Sequence, residues 1–185
     1  MSTPQPPQPA KLVISLLMGD VALAPPVVGA LKARFGDIDM LSPWLPFDYT
    51  RYYEKEMGAG LQRRMVVLKA LVAQTAIVSI KCYTNTLEGQ YSDGGRRRIN
   101  IDPGYLLQER FVLATGKNFS HRIYLDQGIY ADLTLIHRRG GYQAQEWTYP
   151  DYASPDMLTF LTQVRRKYQI DLKQGANTLI LGEDL

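Results

Sequence analysis

The densest set of side chains able to do chemistry lies between Arg96 and Asp151. Lys117, His121 and Arg122 stand close together, Asp102 precedes a Pro-Gly pair, and Asp132 and Asp151 follow. An Arg guanidinium clamps a phosphate or carboxylate through two parallel hydrogen bonds, and a Lys adds a compact point charge. A His titrates near neutral pH and suits general acid–base work. Asp102 is placed to orient such a His or to hold a metal. His121 and Asp102 are therefore the candidate catalytic pair. Arg122, Lys117, Tyr105, Tyr124, Tyr130, Asp132, Trp147, Asp151 and Asp48 are the candidate ligand-binding residues.

The spacing gives one geometric handle. Alternate residues of a strand share a face, so Arg122 and Tyr124 point one way. Tyr130, Asp132 and Thr134 do the same on the next strand. A hairpin around Asp126-Gln127-Gly128 sets the two groups opposite each other. That face then holds a cation, a carboxylate and phenols. A plainer reading stands beside it: Arg122–Asp132 as a cross-strand salt bridge and His121 as an ordinary surface residue.

Other features carry less. Gly58-Ala59-Gly60 with Arg63 and Arg64 suggests an anion nest, but it lacks P-loop spacing and reads equally as a helix end. Arg96-Arg97-Arg98 suits a phosphate backbone or a solvated turn flank. The aromatics among Tyr49–Glu56 suit base stacking or packing on a sheet. His121 and His137 are the only histidines, and Cys82 is the only cysteine. No metal site is expected, no internal disulfide can form, and Cys82 reads as a packing residue. The cofactor is left open.

The elements that must position these groups read as follows. Lys11–Met18 is a buried strand. Pro25 and Pro26 open a helix with Val27, Leu31 and Phe35 on one face, and Gly36 ends it. Ile38–Phe47, broken by Pro43 and Pro46, is extended and edge-like. Arg63–Leu68 is a strand, and Leu71–Glu88 a helix closed by Gly89. Arg98–Asp102 is a strand that turns at Pro103-Gly104. Short β-prone runs follow, Arg110–Ala114, Arg122–Leu125, Ile129–His137 and Tyr142–Trp147, as in a meander. Ser154-Pro155-Asp156 opens a last helix with Leu158, Leu161, Val164 and Tyr168 inward. The expected fold class is α+β: a mixed or antiparallel sheet with helices packed on it, first half βαββαβ-like, then a β-meander and a C-terminal helix.

The chain has 185 residues, 45% hydrophobic and 21% charged, with 12 Tyr. Those proportions exclude a disordered, collagen-like or coiled-coil chain and allow one core. Residues 1–10, with four prolines, read as a Pro/Gln-rich tail, and residues 11–185 as a single globular domain. A net charge of +3 implies neither nucleic acid nor a membrane by itself. No apolar run approaches membrane-spanning length, and the tail lacks the pattern of a secretory signal. A cytoplasmic protein is expected, with no membrane partner and an oligomeric state left open.

Four words stand out: Pro46-Phe47-Asp48-Tyr49-Thr50 with Tyr52-Tyr53-Glu54 and Glu56-Met57-Gly58; Asn100-Ile101-Asp102-Pro103-Gly104-Tyr105-Leu106; Ser120-His121-Arg122-Ile123-Tyr124-Leu125; and Trp147-Thr148-Tyr149-Pro150-Asp151-Tyr152. Together they resemble a bacterial family of about this length catalogued only as a domain of unknown function, over residues 11–170. The resemblance implies that the words belong to one site and supplies no reaction. The residues themselves favour binding, with or without catalysis, of a phosphate-bearing small molecule such as a nucleotide. The alternatives are an RNA-binding module and a protein-interaction or scaffold domain with no ligand.

Overall fold

A computed structural model describes residues 2–175 and 178–179. Strand β1 (Ala10–Met18) is buried along its whole length. It lies between β4 (Gln62–Val72) and β5 (Ile99–Leu106) and runs antiparallel to both. A strand covered on both faces needs no polar alternation, which is why Leu12, Val13, Ile14, Leu16, Leu17 and Met18 are nearly continuous. Leu12, Ile14, Leu16 and Met18 pack in one core cluster with Val27, Leu31, Phe35, Ile80 and Leu87. These last five belong to helices α1 (Ala24–Phe35) and α3 (Ile77–Gln90). Val13 joins the opposite cluster, under α4 (Pro155–Gln174), where Met157, Phe160, Leu161, Val164 and Tyr168 are buried.

Local chemistry sets the helix ends. Asp20 accepts the Ala22 N–H at 3.1 Å in the turn before α1, and Pro25 and Pro26 lie in its first turn. Gly36, at φ +89°, takes a backbone conformation that a Cβ disfavours. Ser154 Oγ accepts the Met157 N–H at 3.3 Å and caps α4, which ends at the left-handed Gly175.

Strand β2 (Ile38–Leu41) pairs with the outer edge of β4, as do β3 (Leu45–Pro46) and β10 (Thr178–Leu179). Thus β1 and β2 run parallel with β4 between them. By the same logic β4 and β5 run parallel with β1 between them. These are the two interleaved units expected from the sequence. Helix α2 (Glu54–Met57) precedes β4. Beyond β5 the sheet continues through β6 (Arg110–Thr115), β8 (Ile129–Arg138) and β7 (Arg122–Asp126). Strand β9 (Gly141–Ala144) pairs with the far end of β8. The expected domain end at residue 185 lies outside the described residues.

Two expectations need correction. Leu71 and Val72 finish β4, and a single 3-10 turn at Gln74–Ala76 separates them from α3. Pro103-Gly104 makes no turn; both lie inside β5, opposite Ile14 and Val13. Pairing of β5 with β6 begins only at Gly104–Leu113. Ile101 turns its N–H and C=O away from β1, toward α3 side chains. Two residues on, Pro103 aims its missing donor at the same outer edge, where no β6 partner waits. Gly104 then sits where the strands diverge. A Cβ there would lie 2.7 Å from the Val112 carbonyl oxygen, so only glycine lets the strands meet.

Gly104→Ala is expected to lower the unfolding free energy by about 1–3 kcal/mol through overpacking. Urea denaturation checks this, and an unchanged midpoint would contradict it.

Candidate functional site

From Gly104 the sheet forks. Strand β5 runs back to Ile99 and β6 runs on to Thr115 with no ladder between them. The exposed edge of β5 is closed by two side chains of α3. Glu88 Oε1 accepts the Ile101 N–H at 2.7 Å, and Lys81 Nζ donates to the Ile101 carbonyl at 2.9 Å. Lys81 and Glu88 lie seven positions apart, two turns along one helix face.

The fork opens a cleft made of two adjoining hollows. One, of about 280 Å³, has aromatic walls that include Phe47, Tyr49, Tyr52 and Tyr152. The other, of about 290 Å³, is charged, with Lys81, Glu88, Arg97, Arg122 and Asp132 on its walls. They share Tyr53, Asp102, Leu113, Lys117 and Tyr149. Each of the four sequence words contributes lining: Phe47, Tyr49, Thr50, Tyr52 and Tyr53 from the first, Asn100 and Asp102 from the second, Arg122 from the third, and Tyr149–Tyr152 from the fourth.

Asp102 stands at the junction, its side chain 28% exposed. It accepts from Lys81 Nζ at 3.0 Å and from the Asn100 amide. Burial alone would raise its carboxyl. Lys81 and Arg63 outweigh that and hold it below the ordinary carboxylate range. Arg63 forms part of the floor of the aromatic hollow. Its Nη1 donates to Ser15 Oγ and, at 3.3 Å, to the Tyr152 hydroxyl. Its Nε lies 2.8 Å from Asp151 Oδ2 without hydrogen-bond geometry. The guanidinium lies 5.1 Å from the Phe47 ring centre and 5.0 Å from that of Tyr152. Burial raises the Asp151 carboxyl, against the pull of Arg63. Burial, then Asp102, pushes the Tyr53 phenol up to about 12.

On the other wall, Arg122 and Asp132 are cross-strand partners. Arg122 Nε donates to Asp132 at 2.9 Å, Nη1 to the Lys117 carbonyl at 2.9 Å and Nη2 to the Tyr149 hydroxyl at 3.3 Å. The pair is thus both the plain salt bridge and a wall of the cleft. His121 Nε2 lies 3.3 Å from Asp132 Oδ2, and its ring stacks on Trp147 at 5.0 Å. The Trp147 indole N–H donates to the Leu133 carbonyl at 2.8 Å. Lys117 Nζ lies over the Tyr52 ring at 5.0 Å. Among the described residues it is the cation of this cleft with no carboxylate within ion-pair distance; Arg63, Lys81, Arg97 and Arg122 each have one.

The fold therefore brings together Asp102, Lys117, Arg122, Asp132 and Asp151, with His121 and Trp147 behind Asp132. Asp48 lines a neighbouring hollow beside Arg63 and Asp151. Tyr105 packs against Ile77, Ala114 and Ile129 and does not line the cleft. Tyr124 and Tyr130 lie edge to face at 5.3 Å, also outside it. Arg97 is tied to Glu56 at 2.8 Å and Arg98 to Asp20 at 3.0 Å, so the Arg96–Arg98 run is divided. Among the described residues, no three His, Cys, Asp or Glu side chains group closely enough to hold a metal ion.

Sequence reasoning missed Arg63 as a floor residue and Lys81 and Glu88 altogether; Tyr53 entered only as one of the Tyr49–Glu56 aromatics and a letter of the first word. Arg63 shares the inward face of β4 with Met65 and Val67, and that parity was the available signal. For Lys81 and Glu88 the signal was their seven-residue spacing beside the apolar positions Ile80 and Leu87.

Glu88→Ala leaves the buried Ile101 N–H without its acceptor and is expected to destabilise by about 1–3 kcal/mol; chemical denaturation reads this directly. Asp102 adds a pH dependence. Its folded value lies below the ordinary 3.8, so the unfolded chain binds more protons in acid. Its contribution is whole above that ordinary value and fades as pH falls through the lower one. Asp102→Asn should therefore flatten the acid limb of a stability–pH curve, and an unaltered limb would count against the assignment.

Residues 8–168 match a family described as a domain of unknown function, DUF4416. No curated protein and no solved structure matches the chain. The match takes in β1 through most of α4 and all four words that line the cleft, so the chain belongs to the DUF4416 family.

Proposed function

We propose that the forked cleft binds a small molecule that joins a flat ring to a phosphate, with a nucleotide as the type. The observation that carries this is the meeting, at Asp102 and Lys117, of an aromatic hollow with a charged one. Tyr49, Tyr53 and Tyr149 offer faces to a ring. Lys117, the cation without a carboxylate, takes the anionic group, and the remaining Arg122 N–H capacity lies beside it. Asp102, held ionised, accepts from a ligand N–H or hydroxyl. His121, backed by Asp132 and Trp147, is the group for proton transfer if the site also performs chemistry. A nucleotide ligand accords with a cytoplasmic protein. The exposed Tyr49, Tyr52 and Tyr149 at the cleft also suit single-stranded RNA, but the divided Arg96–Arg98 run gives that reading a thinner electrostatic footing.

The test is a thermal-shift screen of ribonucleoside mono-, di- and triphosphates, followed by calorimetry on any hit. At 100 times its dissociation constant a ligand adds about 2.7 kcal/mol, or about 5–10 °C for a chain of this size. Lys117→Ala should weaken the hit about tenfold or more, as loss of a charged hydrogen bond does. A flat screen rejects the proposal. Binding to single-stranded RNA that falls steeply with salt replaces it with the RNA reading.

A further inference from the structure

The carboxylates that line the cleft differ sharply in how open they are. The side chains of Asp151, Glu88 and Asp132 are 7%, 9% and 9% exposed. Each is already engaged: Asp151 with Arg63, Glu88 with the Ile101 N–H, and Asp132 with Arg122. Asp102 is 28% exposed and lines both hollows. Lys81 donates to its Oδ1 and the Asn100 amide to its Oδ2. An ionised carboxylate accepts at about four lone-pair sites, so each oxygen keeps capacity for one more donor. Among the described residues Asp102 is thus the open acceptor of the cleft, and it offers two oxygens side by side.

Its place limits what it can meet. The hollows, of about 280 and 290 Å³, each fall just short of the roughly 300–1,000 Å³ of ligand pockets, so a molecule of nucleotide size occupies both. With a ring in the aromatic hollow and a phosphate in the charged one, the part that joins them lies at the junction. In a nucleotide that part is the sugar; the hydrogen-bonding edge of the ring points away from it. We infer, resting on the nucleotide reading of the cleft, that Asp102 grips the vicinal 2′- and 3′-hydroxyls of a ribose, one on each carboxylate oxygen, and selects ribonucleotides over deoxyribonucleotides. Two adjacent O–H donors match two adjacent acceptors, and both hydrogen bonds are charge-assisted. Tyr53, its phenol held protonated by burial and then by Asp102, and Tyr149 line the same junction. They supply O–H donors for the sugar oxygens. A deoxy sugar leaves one Asp102 oxygen without its donor in a site where the ligand has displaced water.

Calorimetry of the full chain tests it, with the 5′-mono- and triphosphates of adenosine and guanosine and with their 2′-deoxy and 3′-deoxy forms. Each deoxy form should bind about tenfold more weakly or worse, as a hydrogen bond to a charged group is lost. Asp102→Asn keeps the shape of the side chain but puts an NH₂ donor where one acceptor oxygen stood. It should weaken the ribonucleotide more than the deoxy form, so that their ratio falls toward one. Circular dichroism establishes that the variant is folded, and the parent chain's own ratio reads the sugar even where it is not. Equal binding of ribo and deoxy forms by the parent overturns the inference and leaves the nucleotide reading standing. A ratio that folded Asp102→Asn leaves intact does the same. A preference between adenine and guanine that Asp102→Asn abolishes puts a ring edge at Asp102 and also overturns it. No binding of any of these nucleotides removes the inference together with the reading it rests on.

Discussion

One backbone edge governs how this protein makes a hollow in a sheet. Ile101 presents an N–H and a C=O where β6 has already diverged, and such groups must find partners if buried. Lys81 and Glu88 supply them from α3, one donor and one acceptor, as a neighbouring strand would. With that edge closed the ladder can stop at Gly104 without a buried orphan, and the space beyond becomes the cleft. Pro103, which needs no partner on that side, and Gly104, which allows the close approach, are the covalent half of the same arrangement.

The charges of the cleft follow from the same opening. Arg63, Lys81, Arg97 and Arg122 are each held against a carboxylate, and burial makes a lone charge there costly. The side chains are consequently fixed in place before any ligand arrives, which lowers the ordering cost of recognition. Lys117 differs because it lies at the exposed mouth over Tyr52, where water stabilises an unpaired ammonium. A second buried ion group, Lys11 with Asp39 at 2.6 Å and Asp171 at 2.8 Å, ties β1 to α4 and lies outside the cleft.

Much of the frame was legible in the chain. The uninterrupted apolar run of β1, the Ser154-Pro155 start of α4 and the alternation around Arg122 and Asp132 are local signals, and local physics decides them. The pairing of Arg122 with Asp132 followed from strand parity and a glycine-bearing turn. What stayed hidden was non-local. Pro103-Gly104 reads as a turn because that dipeptide usually makes one, and only the path of β6 explains why it lies inside a strand. Arg63 resembles a surface charge until Asp151 and Tyr152 arrive from almost ninety residues away. Tyr105 falls on the other face of β5 from Asp102 and packs with Ile77, Ala114 and Ile129, and Tyr124, although it shares the face of Arg122, lies one step too far along β7 to reach the cleft.

Trp147 has a practical corollary. The chain has two tryptophans. Trp44 packs with the α1–α3 side of the sheet, its ring under the Arg64 guanidinium at 5.2 Å. Trp147 lies behind the cleft, flat against the imidazole of His121, which touches Asp132. Any occupant that displaces Asp132 or alters the charge on that imidazole changes the surroundings of one indole and spares the other. The protein thus carries an intrinsic optical probe of its own cavity, with a built-in reference in Trp44, which lines neither hollow.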